Sequence, residues 1–380
     1  MHSIKILLNK HLHIVTHDVP WPADYGGVII LFYKIKSLHQ QGIKIHLHCF
    51  YKERQEQSIL NKYCESVTYY PRKKLFSFPL LTIPFIVQSR RNPLLLRNLL
   101  KDNYPILFEG IHCTYHLLNK KLRNRKMQVC LQNVEYTYYK HLARYEKNFF
   151  KKTYYIIESF LLYHYEKKLS KSASFWTVSE LDTLVYKEIL KANHVEFFPV
   201  FLPWTTVKSE LGNGTYCLYQ GNLEVSENDK AARWLLEEVF AKLKIPFVIA
   251  GRNPSPLLKK MAHQNPHTCM VENPSEHEMD DLIRKAQINI IPSFNNTGIK
   301  LKLLNALFNG RYCVVNAEAA KGSGLENLCI YADTASAFIE KIHDNFYLEF
   351  KELEKEKRKE VLMNLYQNSK NATRIIESLY

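Results

Sequence analysis

Residues 288–316 read INIIPSFNNTGIKLKLLNALFNGRYCVVN. The apolar run at 288–292 has the length and branched side chains of a buried strand. A polar loop, 293–297, ends at Gly298. From about residue 299 to 309 the apolar residues recur at helical spacing, with Ile299, Leu303 and Leu307 beside Leu301, Leu304 and Phe308. Gly310 stands where a left-handed C-cap residue is expected. A second buried strand starts at Val314 and Val315. A polar, glycine-containing loop that feeds a helix start offers unpaired backbone N–H groups and the positive end of a helix dipole. Such a place suits an anion, most often phosphate.

The same alternation runs outward from this stretch. Strand patterns fall at 13–16, 45–50, 67–70, 106–108, 128–131 and 175–178, with helical patterns between them at 27–41 and 92–101. Residues 135–170 read as two helices or one long bent one. Two prolines and two glycines at 199–214 mark a linker. Beyond it, strands at 216–221, 247–251, 268–271 and 329–332 alternate with helices at 230–243, 256–264 and 276–286. The tail after Thr334 is helical and holds a charged run at 351–360. Strands alternating with helices predict an α/β fold with parallel sheets covered on both faces. Ligands of such sheets bind at the carboxyl ends of strands. The loops that matter are therefore 16–25, 109–112, 132–135, 221–227, 252–254, 273–275 and 293–298.

Four further segments stand in a telling order: PWPADYGG at 20–27, YQGNL at 219–223 with Asn228, FVIAGR at 247–252, and the run 271–293 that ends in INIIPS. With the opening stretch they resemble bacterial GT-B glycosyltransferases of family four, the glycosyl transferases group 1. The resemblance covers nearly the whole chain. It implies two Rossmann-like domains with parallel sheets facing across a cleft. Residues 1–205 would form the acceptor side, 206–360 the nucleotide-sugar side, and 361–380 a helix crossing back to the first domain. It implies transfer of a sugar, in the manner of a hexosyltransferase, from a nucleotide-diphosphate sugar to a hydroxyl of a surface glycan or lipid-linked acceptor. The nucleotide sugar is a co-substrate, and no cofactor is expected.

The donor-binding residues implied are Gly26, Gly27, Asn222, Arg252, Thr297, Gly298, Ile299, Lys300 and Asn305. Glycines at 26 and 27 let a phosphate approach a helix start closely, and a guanidinium at 252 suits a diphosphate. Lys300 and Lys302 point about 200° apart on a helix, so only one faces the phosphates. Lys300, nearer the helix start, is the choice, with Lys302 on the outer face or toward the acceptor. Family members carry a pair of Glu residues where this chain has Thr297 and Asn305. These lie about 80° apart on one helix side and still bond hydroxyls, without the charge. Gln132 replaces a common His before Asn133, so that position cannot titrate. Candidate acids and bases are Asp24, Glu109 and His112, on loops that follow strands of the first domain. His11, His13, His46 and His48 alternate in strand patterns and read as structural. No metal-ligand cluster appears, so no metal is expected, and positive charge with helix dipoles would offset the leaving diphosphate. Two alternatives follow from the departures: a non-catalytic nucleotide-sugar-binding subunit, or a GT-B sugar epimerase.

Composition sets the outer bounds. Length 380 fits two domains, and 46% apolar content fits folded ones. The net charge of +15 suits an anionic substrate or membrane surface; no nucleic-acid-reading motif accompanies it. The eight cysteines form no CxxC pair and read as buried, reduced thiols. No apolar run reaches the ~18–20 residues of a membrane helix. The run 75–87 reads as core or as a loop touching membrane. Phe149, Phe150, Lys151, Lys152, Tyr154 and Tyr155 suggest peripheral contact with an anionic membrane, which places the protein in the cytoplasm at the inner membrane face.

Overall fold

The computed structural model describes residues 10–73, 82–295 and 297–380. Most of the apolar run 75–87 and the start of the chain lie outside the described residues. The chain divides into two compact units: Met1–Pro203 with Tyr366–Tyr380, and Trp204–Leu365.

The first unit is built on seven parallel strands: β1 (His11–Thr16), β2 (Lys44–Tyr51), β3 (Ser66–Pro71), β4 (Ile106–Glu109), β5 (Met127–Cys130), β6 (Ser174–Thr177) and β7 (His194–Phe197), in the order β3-β2-β1-β4-β5-β6-β7. Every residue of β4 is buried, as a strand covered on both faces requires. The helix α1 (Gly26–Gln40) follows β1 and buries Val28, Leu31, Phe32, Ile35 and Leu38. Against it packs the last helix of the chain, Asn368–Leu379, through Ala372, Ile375, Ile376 and Leu379. Each such aliphatic side chain adds about 1.5–3 kcal/mol when fully buried. The Asn368 side chain fixes this return by accepting from Leu202 N at 3.0 Å and donating to Leu202 O at 2.7 Å.

Residues 135–170 resolve as two helices, α2 (Glu135–Tyr145) and α3 (Phe149–Leu169). Asn148 caps α3 by accepting from Lys151 N. The buried Glu166 carboxylate joins the pair, accepting from Glu135 N and Tyr136 N at 3.1 Å each and from the Tyr186 hydroxyl at 2.8 Å. The four strand histidines form a ladder: His11 to His46 and His13 to His48, each at 2.9 Å. His48 also meets the Tyr70 hydroxyl at 2.8 Å, and His13 meets Asp102 at 2.9 Å. Burial pushes His48 down to about 3, so the inner ladder is held neutral.

The second unit has six parallel strands: β8 (Cys217–Asn222), β9 (Phe247–Arg252), β10 (Thr268–Glu272), β11 (Ile288–Ile291), β12 (Tyr312–Val315) and β13 (Ile330–Tyr331), in the order β10-β9-β8-β11-β12-β13. The helix α4 (Ser226–Trp234) starts four residues before the expected 230 and so takes Asn228 into its first turn. The helix α5 (Leu301–Asn309) starts two residues after the expected 299, with Lys300 as its extended N-cap. Gly310 does not adopt the expected left-handed conformation, since its φ is −94°. Space is what it supplies. A Cβ there would meet Asn289 Nδ2 at 2.3 Å and the carbonyls of Ala306 and Ile283 at 3.0 Å. The charged run 351–360 is not wholly solvated either. Arg358, on the helix Glu352–Leu365, is buried and donates to Gly310 O at 2.6 Å and Ser209 Oγ at 3.2 Å.

Candidate functional site

In each sheet the strand order reverses once, at β1 beside β4 and at β8 beside β11. Outside the carboxyl ends of those strands is where ligands of open α/β sheets bind. Two helices, α4 and α5, start at the second of these points. The first turn of α4 carries Glu227 and Asp229, which repel an anion, whereas the first turn of α5 carries no acid. The α5 start is therefore the anion-suited end.

The loop that leads there is tightly built. Ser293 N donates to Asn316 Oδ1 at 2.9 Å, and Ser293 Oγ donates to Asn295 O at 2.8 Å. Asn295 Oδ1 in turn accepts from the Thr297 N–H and the Thr297 hydroxyl, both at 2.9 Å. Gly298 has a φ of +64°, which L side chains rarely adopt. Asn296 lies outside the described residues. Because α5 begins at Leu301, Thr297 is not on the helix. The expected placement of Thr297 and Asn305 on one helix side is thereby corrected. Thr297 is buried in the loop, and Asn305 on α5 accepts from Asn309 Nδ2 at 2.6 Å.

The two lysines make different contacts. Lys300, at the N-cap, folds back so that its Nζ donates to Thr297 O at 2.8 Å. Lys302 is the one that reaches toward β8. Its Nζ sits 5.1 Å from the Tyr219 ring centre and 3.4 Å from Asn228 Oδ1. Burial pushes Lys302 down to about 8; Glu227 nearby opposes that shift and Lys300 adds to it. On the β8 side, Asn228 Nδ2 donates to Asn222 O at 2.9 Å. Ile299 is half-buried. Arg252 is exposed at the end of β9, in register with Asn222 and one strand from the switch point. Gly251 beside it is required by packing, since a Cβ there would lie 2.0 Å from Gly221 O.

The first unit places its expected residues less simply. Gly26 opens α1, and Gly27 is crowded by Gln132, whose Oε1 would lie 2.6 Å from a Cβ. Gln132 Nε2 also donates to Gly27 O at 3.3 Å. Asp24 is ion-paired with Arg54, which also lies 3.6 Å from Asp18. Glu109 is not on a loop: it ends β4, is 0% exposed, and pairs with Lys34 of α1 at 2.5 Å. His112 lies in the helical turn Ile111–His116, its ring centre 5.3 Å from that of His17. Burial holds His112 well below the ordinary histidine value, and Arg90, His17 and Arg72 push the same way. So Asp24, Glu109 and His112 stand in three separate environments; Glu109 Oε2 and His112 Nδ1 are both buried without a hydrogen-bond partner among the described residues.

Among the described residues no group of three or more His, Cys, Asp or Glu side chains could hold a metal ion. All eight cysteines are free; Cys269 is exposed, against the expectation of burial. No helix among the described residues is long and apolar enough to cross a membrane.

This architecture is shared with known proteins. Sucrose-phosphate synthase from Thermosynechococcus elongatus matches at a TM-score of 0.70 and 13% identity, over 97% of this chain and 98% of that one. The E. coli trehalose-6-phosphate protein bound with UDP-2-fluoro glucose matches at a TM-score of 0.62 and 12% identity, over 97% and 99% of the two chains. These likenesses define the fold as GT-B, with two Rossmann-like α/β units. Residues 214–345, which contain the α5 site, match the family model of Glycosyl transferases group 1. The chain is thus a GT-B protein that resembles the family-four glycosyltransferases. An uncharacterized 44.6 kDa protein in the cps region of Klebsiella pneumoniae is 27% identical over 331 residues, 82% of this chain and 84% of that one.

Proposed function

We propose that the protein moves a sugar from a nucleotide-diphosphate sugar to a hydroxyl of a surface glycan or lipid-linked acceptor. One observation carries the reading: a left-handed glycine, an acid-free helix start and the inward Lys302 meet at the switch point of the second sheet. Lys302 is a half-buried cation with no carboxylate in ion-pair range among the described residues, and a diphosphate would complete it. As the bond to the sugar breaks, negative charge grows on the departing nucleoside diphosphate. Lys302, Lys300 and the backbone N–H groups of the α5 start offset it without a metal. The E. coli neighbour with its bound UDP-2-fluoro glucose supports a nucleotide-sugar donor, and the Klebsiella relative of the cps region is in keeping with a surface glycan. A thermal-shift screen against UDP-, GDP-, CMP- and dTDP-sugars, with and without EDTA, tests the reading. One nucleotide class should raise Tm regardless of EDTA. Silence with all four, in the presence of candidate acceptors as well, counts against it.

A second reading has its own observation. Thr297 and Asn305, where family members carry Glu, both spend their side chains on neighbouring asparagines, and Gln132 is committed to Gly27. A nucleotide-sugar-binding subunit without turnover fits that arrangement. Donor binding with no hydrolysis or transfer would favour it, whereas conversion of the donor alone would favour an epimerase.

The membrane contact rests on α3. Phe149 and Phe150 are 74% and 81% exposed, and Ile156, Ile157 and Phe160 continue the apolar surface beside Lys151 and Lys152. Tyr154 and Tyr155 differ, since both pack against Tyr139. Flotation with anionic vesicles at low salt should carry the protein, and Phe149→Ser with Phe150→Ser should release it. Equal flotation of both forms would end this part of the proposal.

A further inference from the structure

We propose that the carboxyl end of the first sheet holds a site for a multiply charged anion, a phosphate or diphosphate group, formed by His17, Arg72, Arg90 and His112. His17 follows β1, Arg72 follows β3, His112 follows β4, and Arg90 follows the helical turn Phe85–Gln88. Three of their polar atoms, His17 Nδ1, Arg72 Nε and His112 Nδ1, are shut off from solvent with no hydrogen-bond partner among the described residues. Buried polar atoms are almost always paired, so three orphans in one place call for a partner.

Charge points to the same partner. Arg90 is buried, and its guanidinium reaches only carbonyls, His17 O at 2.9 and 3.2 Å and Ile86 O at 2.6 Å. Burial and the nearby Arg72 push Arg90 down to about 10, so it stays charged at neutral pH. Neither arginine has an ion-pair partner among the described residues. The acids in range are otherwise engaged. Asp18 accepts from the Tyr25 hydroxyl at 3.0 Å and faces Arg54. Glu53 is exposed and bonds Lys52 at 2.6 Å. Glu135 is pushed up to about 8, first by burial and then by Glu166, so it is protonated at neutral pH. Two uncompensated guanidinium charges next to two neutral rings are costly without an anion.

The rings add the rest. Burial, with Arg90 and Arg72, lowers His17 to about 3, and His112 is lowered for the same reasons. An anion between them reverses the sign of that field. A ring in the tautomer protonated at Nδ1 donates to that anion through its orphan atom. Gly110, with φ +84°, leaves the way open, because a Cβ there would stand 3.0 Å from His112 Nδ1. Two fixed charges with two ring nitrogens suit a phosphate dianion or diphosphate better than a single carboxylate. The assignment rests on the transferase reading, in which this unit takes the acceptor. The acceptor then carries phosphate, either on a soluble sugar or on a lipid.

The test uses the full-length protein at constant ionic strength, titrated with inorganic phosphate and pyrophosphate. Saturable stabilisation is expected in the native protein and in Lys302→Ala, which removes the cation of the second unit. It should weaken about tenfold or more in Arg72→Gln; Arg72 Nε has no hydrogen-bond partner to lose among the described residues. His112→Gln serves as a second variant should Arg72→Gln misfold. Competition by a hexose 6-phosphate would identify the soluble source, and competition by vesicles containing phosphatidic acid the lipid one. Absence of saturable phosphate binding, or equal binding in Arg72→Gln, overturns the site. Nucleotide-sugar binding measured on the same samples reports separately on the transferase reading.

Discussion

The two switch points share topology and differ in chemistry. At the first, the cations are two arginines beside two neutral histidines, and near them a buried carboxylate, Glu109, is already paired with Lys34. At the second, the cation is a lysine at a helix start, lying over the Tyr219 ring with no carboxylate in ion-pair range among the described residues. A buried lysine that is paired is part of the fold, and a half-buried one that is not is held ready for a ligand. Substituting each lysine tests that difference. Lys34→Met removes the ion-pair partner of the fully buried Glu109. We expect a loss of about 3–5 kcal/mol, read from urea unfolding. Lys302→Met, by contrast, removes a desolvated cation and should change stability by less than about 1 kcal/mol. Equal losses would erase the contrast between a structural and a ligand lysine.

The next effect is on binding. Lys302→Ala should weaken donor nucleotide binding by about 1–3 kcal/mol, the scale of hydrogen bonds to charged groups. Lys300→Ala should cost less, because its ammonium is spent on Thr297 O. Arg252→Ala, one strand away, sharpens the comparison: a loss as large as that of Lys302 would extend the site across β9. Calorimetry with the nucleotide found in the screen gives the ranking. If Lys300→Ala costs more than Lys302→Ala, the inward lysine is not the diphosphate contact.

Much of the fold was legible because apolar runs and helical spacing report burial directly. Eleven of the thirteen strands overlap the sequence reading closely. β7 was missed, since HVEF is short and half-exposed, and β13 proved shorter than 329–332. The site was legible in its loop and not in its side-chain directions. Helical spacing does not apply between Lys300 and Lys302, because Lys300 is the extended N-cap. Which one turns inward depends on where α5 begins, and that is fixed by the Asn295–Thr297 loop bonds and the left-handed Gly298, not by periodicity. Gly310 does end the helix, yet the reason is the Asn289 side chain against it, a contact made from 21 residues away in sequence. The anion cluster left almost no local trace. Its members lie at 17, 72, 90 and 112, and only the parallel sheet brings four strand and helix ends together. His112 alone stood out, as a candidate base.

The smallest effect concerns pH and links the anion cluster to the helices beside it. Glu135 is raised to about 8 from an ordinary 4.5, by burial and then by Glu166. A carboxyl raised in the folded state contributes stability that is full below 4.5 and is lost as pH rises through about 8. The lowered histidines act oppositely, but only below their ordinary value of 6.5. Lys302, lowered to about 8, also titrates between pH 7 and 8.5, so the part due to Glu135 is read as the difference from Glu135→Gln. The native protein should lose up to about 1 kcal/mol more than Glu135→Gln across that window, measured by urea unfolding at each pH. Parallel slopes would show that Glu135 is not the group responsible. The Arg90 charge pulls the Glu135 value down. An anion bound at Arg90 would cancel that pull and push Glu135 higher still. Saturating phosphate should then shift the loss of stability to higher pH in the native protein and leave Glu135→Gln unmoved, which ties the first switch point's unpaired cations to a titration that can be followed without any assay of activity.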